Sequence, residues 1–430
     1  MINDKALARQ GAWLAQIIPD VSAAVARGIP ADQHLAAFYR AHHEFGSRDR
    51  RLFSAVAFAW FRWRGWLSAL PQADPATASV LAHALDSDEE LQPAVMALAR
   101  TTQLPVAALR PLGAETLAAK ALALSAWTGM ACPVWRDLLP SWVWPHLPPP
   151  EGSDCDAHHQ RLADIFQHRV PTWLRLRPGA ADALHAALVE AGVTVTPHPR
   201  MAAALAIPAG TGLRALTARF PNAFDIQDIA SQVVSVICAP QPGAHWWDAC
   251  AGGGGKTLHL ADLMSGRGTL LATDLRRSAL EELERRAQMP RGHWLQTARW
   301  DGRAETAPQQ LFDGVLLDAP CSGIGTWHRN PDARWRLAED ELQRKPELQR
   351  ELLLAAADHV RPGGSLVYAT CTLTGSENTG VAEAFQKHRG DFKLDPFENP
   401  LDGRPSNGML WIYPWSSGGN GMFIARFRRA

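Results

Sequence analysis

The chain has 430 residues, 47% hydrophobic and 20% charged, with 43 basic side chains balanced by 43 acidic ones. This length exceeds a single core and predicts two to four domains at roughly 150 residues each, while zero net charge excludes a globally basic nucleic-acid coat, so any basic surface is local. No apolar stretch approaches the roughly 18 residues that span a bilayer, the N-terminus has no basic cluster leading into an apolar run, and the six cysteines (Cys132, Cys155, Cys238, Cys250, Cys321, Cys371) form no CxxC pair or zinc-ligand spacing. The expectation is a soluble cytoplasmic protein with no disulfide framework, no structural metal and no membrane partner.

Residues 5 to about 130 carry apolar side chains at three- and four-residue spacing, broken at GIPAD, LPQADPATAS and LPVAALRPLG. This predicts an all-α domain over 1–130. Its most charged element, GSRDRRLFSAVAFAWFRWRGWL, places Ser47 as N-cap and Arg48, Arg50, Arg51, Arg62 and Arg64 along an aromatic, apolar helix. Two readings stand: the arginines solvate the ends of a core helix, or they face RNA phosphates. Residues 133–150, rich in Pro and Trp, read as a connector. PTWLRLRPG, ADALHAALVEAGV, TVTPHP and AALAIP then predict strand, helix, strand, strand, a small α+β module within a region spanning 131–225.

From 226 onward strand and helix alternate. HWWDAC, GTLLATDL, HWLQTA, FDGVLLDA and GSLVYATC are each followed by a helical or loop segment, the pattern of an α/β domain with a parallel, doubly wound sheet. At the end, MLWIYPWSSGGNGMFIARFRR predicts two strands about a Gly-rich turn. A terminal hairpin on a parallel sheet suits a methyltransferase better than a plain dinucleotide dehydrogenase.

The loop DACAGGGGKT (248–257) follows the first of these strands and opens a helix, so its glycines allow a backbone to approach a ligand and present N–H groups near a helix N-terminus. A phosphate-binding P-loop needs Gly six residues before the Lys, and that position is Cys250; GxGxxG fails because the glycines run into Lys256. The second strand ends on Asp274, where an acid accepts both ribose hydroxyls of an adenosine ligand or simply caps a helix. The third reaches Asp301, which either accepts from an adenine amino group or makes an ordinary Asp-Gly turn. The fourth and fifth bring Cys321 and Cys371 to one edge, because parallel strands present their carboxyl ends on the same side. A single strand-end Cys is commonly a small hydrophobe. Two of them, beside Pro320, Ser322, Gly323, Thr370 and Thr372, stand where a thiolate can react.

FDIQDIASQ, the DxCAxxGGKT frame of DACAGGGGKT, TD at 273–274, DAPCSGIGTWHRNPD and YATCTLTGSEN resemble the motifs of the Sun/RsmB (NOL/NOP/Sun) kind of bacterial RNA (cytosine-5)-methyltransferase. The likeness covers 224–380, extends to GNGMFIARFRR, and reaches more weakly to SRDRRLFSAVAFAWFRWR, which is similar to part of the NusB-like domain at the front of that enzyme. The resemblance implies an all-α, NusB-like RNA-binding domain over 1–130, a linker and RRM-like α+β module over 131–225, and a Rossmann-like class I methyltransferase domain with a C-terminal antiparallel hairpin over 226–430.

It further implies a monomer that moves a methyl group from S-adenosylmethionine to carbon 5 of a cytosine in RNA, with 16S ribosomal RNA favoured. Cofactor contacts fall on Cys250, Ala251, Gly252, Gly253, Gly254, Gly255, Lys256, Asp274, Asp301 and Asp318. Carbon 5 of cytosine is a poor nucleophile, and a thiolate added to carbon 6 makes the ring enamine-like. By resemblance Cys371 is that nucleophile, Asp318 hydrogen-bonds the ring nitrogen and exocyclic amine, and Cys321 serves release of the carbon-5 proton. One departure stands out: the family usually has Ala-Pro-Gly-Gly before the Lys, whereas this chain has Gly252 to Gly255, so the rigidity a proline lends the loop is missing. The alternatives are a tRNA substrate, a non-catalytic RNA-binding assembly or antitermination factor, and an NAD-dependent oxidoreductase, which has no use for paired strand-end thiols.

Overall fold

The computed structural model describes residues 4–70, 74–179, 181–287 and 294–430, the side chain of Ala181 excepted. They divide into two compact units, Met1–Arg169 with Trp327–Glu339, and Val170–Thr326 with Asp340–Ala430. This partition differs from the expected boundaries at 130 and 225. Among the described residues no helix is long and apolar enough to cross a membrane.

The first unit contains α1 (Asp4–Ala26), α2 (Ala31–Ala41), α3 (Ser47–Leu67), α4 (Pro75–Asp86), α5 (Pro93–Ala99), α6 (Leu117–Thr128) and α7 (Cys155–Ile165). Their apolar stripes meet in a core of Leu14, Val21, Val56, Phe61, Trp63, Leu81 and Leu85, all fully buried. The Pro/Trp stretch is part of this unit and no slack connector. Short 3-10 turns at Trp135–Leu138 and Ser141–His146 bury Leu138, Leu139 and Val143, and the Trp66 indole donates to Val134 O at 2.8 Å.

Helix α3 corrects two expectations. Its cap is Gly46, whose N–H donates to Asp49 Oδ2 at 3.1 Å, and Ser47 is the first helical residue. Arg62 is 4% exposed and donates to Asp86 Oδ1 at 2.6 Å and to His328 O at 3.3 Å, so it neither solvates an end nor faces RNA. Burial works against the Asp86 charge, but Arg62 and Arg169 outweigh it and hold the carboxyl below its ordinary range. Arg50 and Arg64 are half-buried, Arg50 donating to Phe45 O at 2.9 Å; Arg48 and Arg51 are exposed. The returning segment Trp327–Glu339 is pinned by Arg334, fully buried, which donates to Phe166 O at 3.0 Å and Trp327 O at 3.1 Å.

The second unit opens with β1 (Thr172–Leu176), α8 (Ala181–Glu190), β2 (Thr196–Pro197), β3 (Ala204–Ile207), α9 (Arg214–Arg219) and β4 (Phe224–Ile226). The strands form an antiparallel sheet in the order β2-β3-β1-β4 over a core of Leu174, Leu184, Leu188 and Leu205. After α10 (Ile229–Cys238) come β5 (His245–Asp248), α11 (Gly255–Leu263), β6 (Thr269–Asp274), α12 (Arg277–Ala287), β7 (Leu295–Arg299), β8 (Phe312–Asp318), α13 (Glu341–Ala357), β9 (Val360–Thr370) and α14 (Thr379–His388). The chain ends with β10 (Phe392–Leu394), β11 (Phe397–Glu398), β12 (Pro405–Ser406), β13 (Met409–Ile412), α15 (Pro414–Ser417) and β14 (Met422–Arg429). The predicted strand HWLQTA begins on His293, which lies outside the described residues.

The large sheet runs β10-β14-β9-β8-β5-β6-β7, and β13 pairs with the edge of β14 that β10 also uses. Strands β5 to β9 are mutually parallel and β14 is antiparallel to β9. This is the Rossmann-like methyltransferase architecture with its terminal hairpin. Val315, Leu316 and Leu317 of β8 and Leu366 to Ala369 of β9 are fully buried, as central parallel strands covered on both faces must be. The strand order reverses between β5 and β8, and the crevice outside their carboxyl ends is where such sheets bind ligands.

Candidate active site at the carboxyl ends of the strands

Strand β5 delivers Asp248, wholly buried. The Thr257 hydroxyl donates to its Oδ2 at 2.7 Å, and among the described residues Oδ1 meets no donor. Burial raises this carboxyl from 3.8 to about 7, with the Thr257 hydroxyl opposing and Asp318 adding to the shift. The chain then turns through Ala251, whose N–H donates to Thr273 O at 2.8 Å, and Gly252, whose N–H donates to Asp274 Oδ2 at 2.9 Å. Gly254 has φ +82°, and a Cβ there would stand 2.1 Å from Leu283 Cδ1, so only glycine lets the loop lie against α12. Asp274 Oδ1 accepts from Arg276 N at 2.8 Å and Arg276 Nε at 3.2 Å. Cys250 is half-buried, and burial, then the Asp248 carboxylate, push its thiol up.

Lys256 opens α11 and donates to Asp318 Oδ2 at 2.6 Å. Burial opposes its charge, but the Asp318 carboxylate overrides this and raises the ammonium above its ordinary value. Three residues beyond Asp318 is Cys321, and its Sγ lies 3.4 Å from Cys371 Sγ; both thiols are half-buried. The contact with Cys371, then burial, lift the Cys321 thiol well above a free cysteine.

Backbone and side chains sew the two cysteine loops together. Gly325 N–H donates to Cys371 O at 3.0 Å and Gly421 N–H donates to Gly325 O at 2.8 Å; a Cβ on Gly325 would stand 2.2 Å from Gly421 O. Glu377, fully buried, accepts from Ser322 N at 2.9 Å, Ser322 Oγ at 2.5 Å, Gln349 Nε2 at 2.9 Å and Thr374 Oγ1 at 2.9 Å. Gln349 also donates to Pro320 O at 3.0 Å, and Tyr368 donates to Glu377 O at 2.6 Å. The result is a rigid pair of turns that hold two sulfurs in contact.

The fold therefore gathers Cys250 to Lys256, Asp274, Asp318, Cys321 and Cys371 at the carboxyl ends of β5, β6, β8 and β9. Asp301 follows β7 at the same end of the sheet but is exposed, and its Oδ1 accepts from Thr306 Oγ1 at 2.5 Å and Arg303 N at 3.1 Å. The Thr306 hydroxyl and the Arg303 amide hold that carboxyl below its ordinary range. Sequence reasoning missed Thr257, Gln349 and Glu377. Glu377 had a signal, lying in the same YATCTLTGSEN stretch as Cys371; Gln349, on α13, had none. Among the described residues no three His, Cys, Asp or Glu side chains are grouped to hold a metal.

Residues 235–428 match the family model of 16S rRNA methyltransferase RsmB/F. A Synechocystis protein named "Probable ribosomal RNA small subunit methyltransferase B" is 34% identical over 285 residues, 64% of each chain. A Salmonella paratyphi C protein named "Ribosomal RNA small subunit methyltransferase B" is 32% identical over 300 residues, 68% of this chain and 66% of its own. The matched region thus spans just under two thirds of these relatives. The crystal structure of PH0851 shares the fold with a TM-score of 0.73 at 24% identity, covering 96% of this chain and 99% of that one. Over residues 235–428 the chain is therefore similar to the RsmB/F family of 16S rRNA methyltransferases.

Proposed function

We propose that this protein transfers a methyl group from S-adenosylmethionine to carbon 5 of a cytosine in RNA, with 16S ribosomal RNA as the favoured substrate. The observation that carries the reading is the pair of sulfurs 3.4 Å apart beside the Lys256–Asp318 ion pair at the sheet's switch point. The surrounding residues fit the cofactor. Gly252 to Gly254 form a backbone turn that leads into α11 at Gly255, Asp274 stands at the end of the second strand to accept ribose hydroxyls, and Asp248, whose Oδ1 meets no donor among the described residues, stands at the end of the first. When bound, the cofactor supplies an electrophilic methyl group on a sulfonium.

The chain's own residues then do the following. The Cys371 thiolate forms a bond to carbon 6 of the cytosine, which sends the carbon 5–carbon 6 π pair onto carbon 5 and makes it nucleophilic. Asp318 accepts from the exocyclic amine beside the ring nitrogen, and Lys256, 2.6 Å from it, offsets the charge that builds on the ring. Once carbon 5 carries the methyl, its proton leaves with the help of Cys321; the freed pair restores the double bond and expels the Cys371 thiolate. The same surroundings keep Cys321 a neutral thiol at rest, so it takes this proton only after giving up its own to solvent, and once ionised it is a strong base.

The order of steps supplies the test. Cys371→Ala should abolish methylation and form no covalent complex, whereas Cys321→Ala should attack, methylate and stall as an enzyme–RNA adduct that survives denaturing electrophoresis and carries label from methyl-labelled cofactor. An adduct with Cys371→Ala instead would exchange the roles, and an adduct with neither would remove the covalent route. Bisulfite sequencing of RNA from a deletion strain separates the ribosomal from the tRNA substrate, and absence of cofactor binding by calorimetry would leave the non-catalytic reading.

A further inference from the structure

The cofactor loop is four glycines long, and glycine loses more conformational freedom on ordering than any other residue. Something must hold it. Arg286, in the last turn of α12, donates from one guanidinium nitrogen to Gly253 O at 2.5 Å and from the other to Asp225 Oδ1 at 2.8 Å. Asp225 lies on β4 of the small antiparallel sheet, where its Oδ2 accepts from Arg175 at 2.5 Å. Arg175, 1% exposed, also donates to Gln227 Oε1 at 2.7 Å and pairs with Asp262 on α11. The loop is thus tied through Arg286, and the helix that follows it through Arg175, to one aspartate of the α+β module.

We propose that Arg286 is the positioning residue of the cofactor loop: its bidentate bridge from Asp225 to the Gly253 carbonyl presets the loop for S-adenosylmethionine and takes the place of rigidity the four glycines lack. The proposal rests on the reading of this loop as the cofactor cradle. The bridge is charge-assisted at both ends and planar, a geometry that guanidinium satisfies and a single ammonium does not. Three arginines, Arg175, Arg177 and Arg286, surround Asp225, so removing Arg286 leaves that carboxylate paired and the module folded.

The experiment compares wild type, Arg286→Ala, Arg286→Lys and Arg285→Ala in the full chain, the last a neighbour that pairs with Glu282 on the helix surface. Hydrogen exchange of residues 251–254 is read without ligand, and S-adenosylmethionine affinity by calorimetry. Arg286→Ala should speed exchange in the loop, with β4 and α11 unchanged, and weaken the cofactor by about tenfold, the scale of one charged hydrogen bond. The KM for the cofactor should rise with kcat at saturation within about twofold. Arg286→Lys should fall between, and Arg285→Ala should match wild type. Equal loop exchange and equal affinity in wild type and Arg286→Ala would overturn the proposal, as would faster exchange across the whole unit. A wild type that binds no cofactor would instead overturn the reading on which the proposal rests.

Discussion

Asp248 makes the stability of the second unit depend on pH in a direction opposite to that of most carboxylates. The group is wholly buried, has one hydroxyl donor to Oδ2 and none to Oδ1 among the described residues, and titrates near 7 in the fold against 3.8 when free. The folded state therefore holds the proton more tightly than the unfolded chain. Its contribution is fully present below about pH 4, declines as pH rises through the interval to 7, and is gone above it. At roughly 1.4 kcal/mol per decade the whole difference is about 4 kcal/mol, which for a unit of about 250 residues corresponds to a Tm change of roughly 10 °C. Melting followed by tryptophan fluorescence between pH 4 and 8, for wild type and Asp248→Asn, isolates the effect from that of other ionisable groups. His83, depressed to about 4 by burial, works in the opposite sense. Wild-type Tm should fall with pH relative to the variant; a constant difference between the two curves would refute a buried, proton-holding Asp248.

Glu377→Ala strands Ser322 N–H and one Gln349 N–H, two donors that cannot re-aim as hydroxyls can, so a loss of about 2–6 kcal/mol is expected in thermal unfolding, with Glu377→Gln costing less than half of that; an Ala variant melting within 2 °C of wild type, about 1 kcal/mol, would show the loops need no such clasp. Asp274→Ala should weaken S-adenosylmethionine by about 1–3 kcal/mol in calorimetry, and unchanged affinity would remove its ribose role. Arg62→Ala leaves Asp86 paired with Arg169 but removes a buried, charge-assisted hydrogen bond, for a destabilisation of about 1.5–3 kcal/mol in denaturant unfolding. Charge reversal at the exposed pair Arg48 and Arg51 should weaken RNA binding and flatten its dependence on salt, and an unaltered salt slope would leave these arginines out of any RNA contact.

The sequence by itself determined the layer architecture of the second unit and the end of the sheet that carries the site. Central parallel strands are buried on both faces, so HWWDAC, FDGVLLDA and GSLVYATC read as near-continuous apolar runs, and parallel topology alone sends Asp248, Asp274, Asp318, Cys321 and Cys371 to one edge. The terminal hairpin was legible from two alternating runs about a Gly-rich turn. Tertiary structure alone decided the rest. Arg62 looks like any helix arginine until Asp86, twenty-four positions away, is seen to neutralise it in the core. The WHRNPD end of a motif whose first half carries Cys321 folds with the helical unit. Glu377 gathers donors from positions 322, 349 and 374, and Arg286 joins Gly253 to Asp225 across 33 and 61 residues. Local pattern encodes which face of an element is apolar, because that depends on period alone; which polar group satisfies a buried charge depends on the angles at which elements pack, and those angles exist only once the chain has closed on itself.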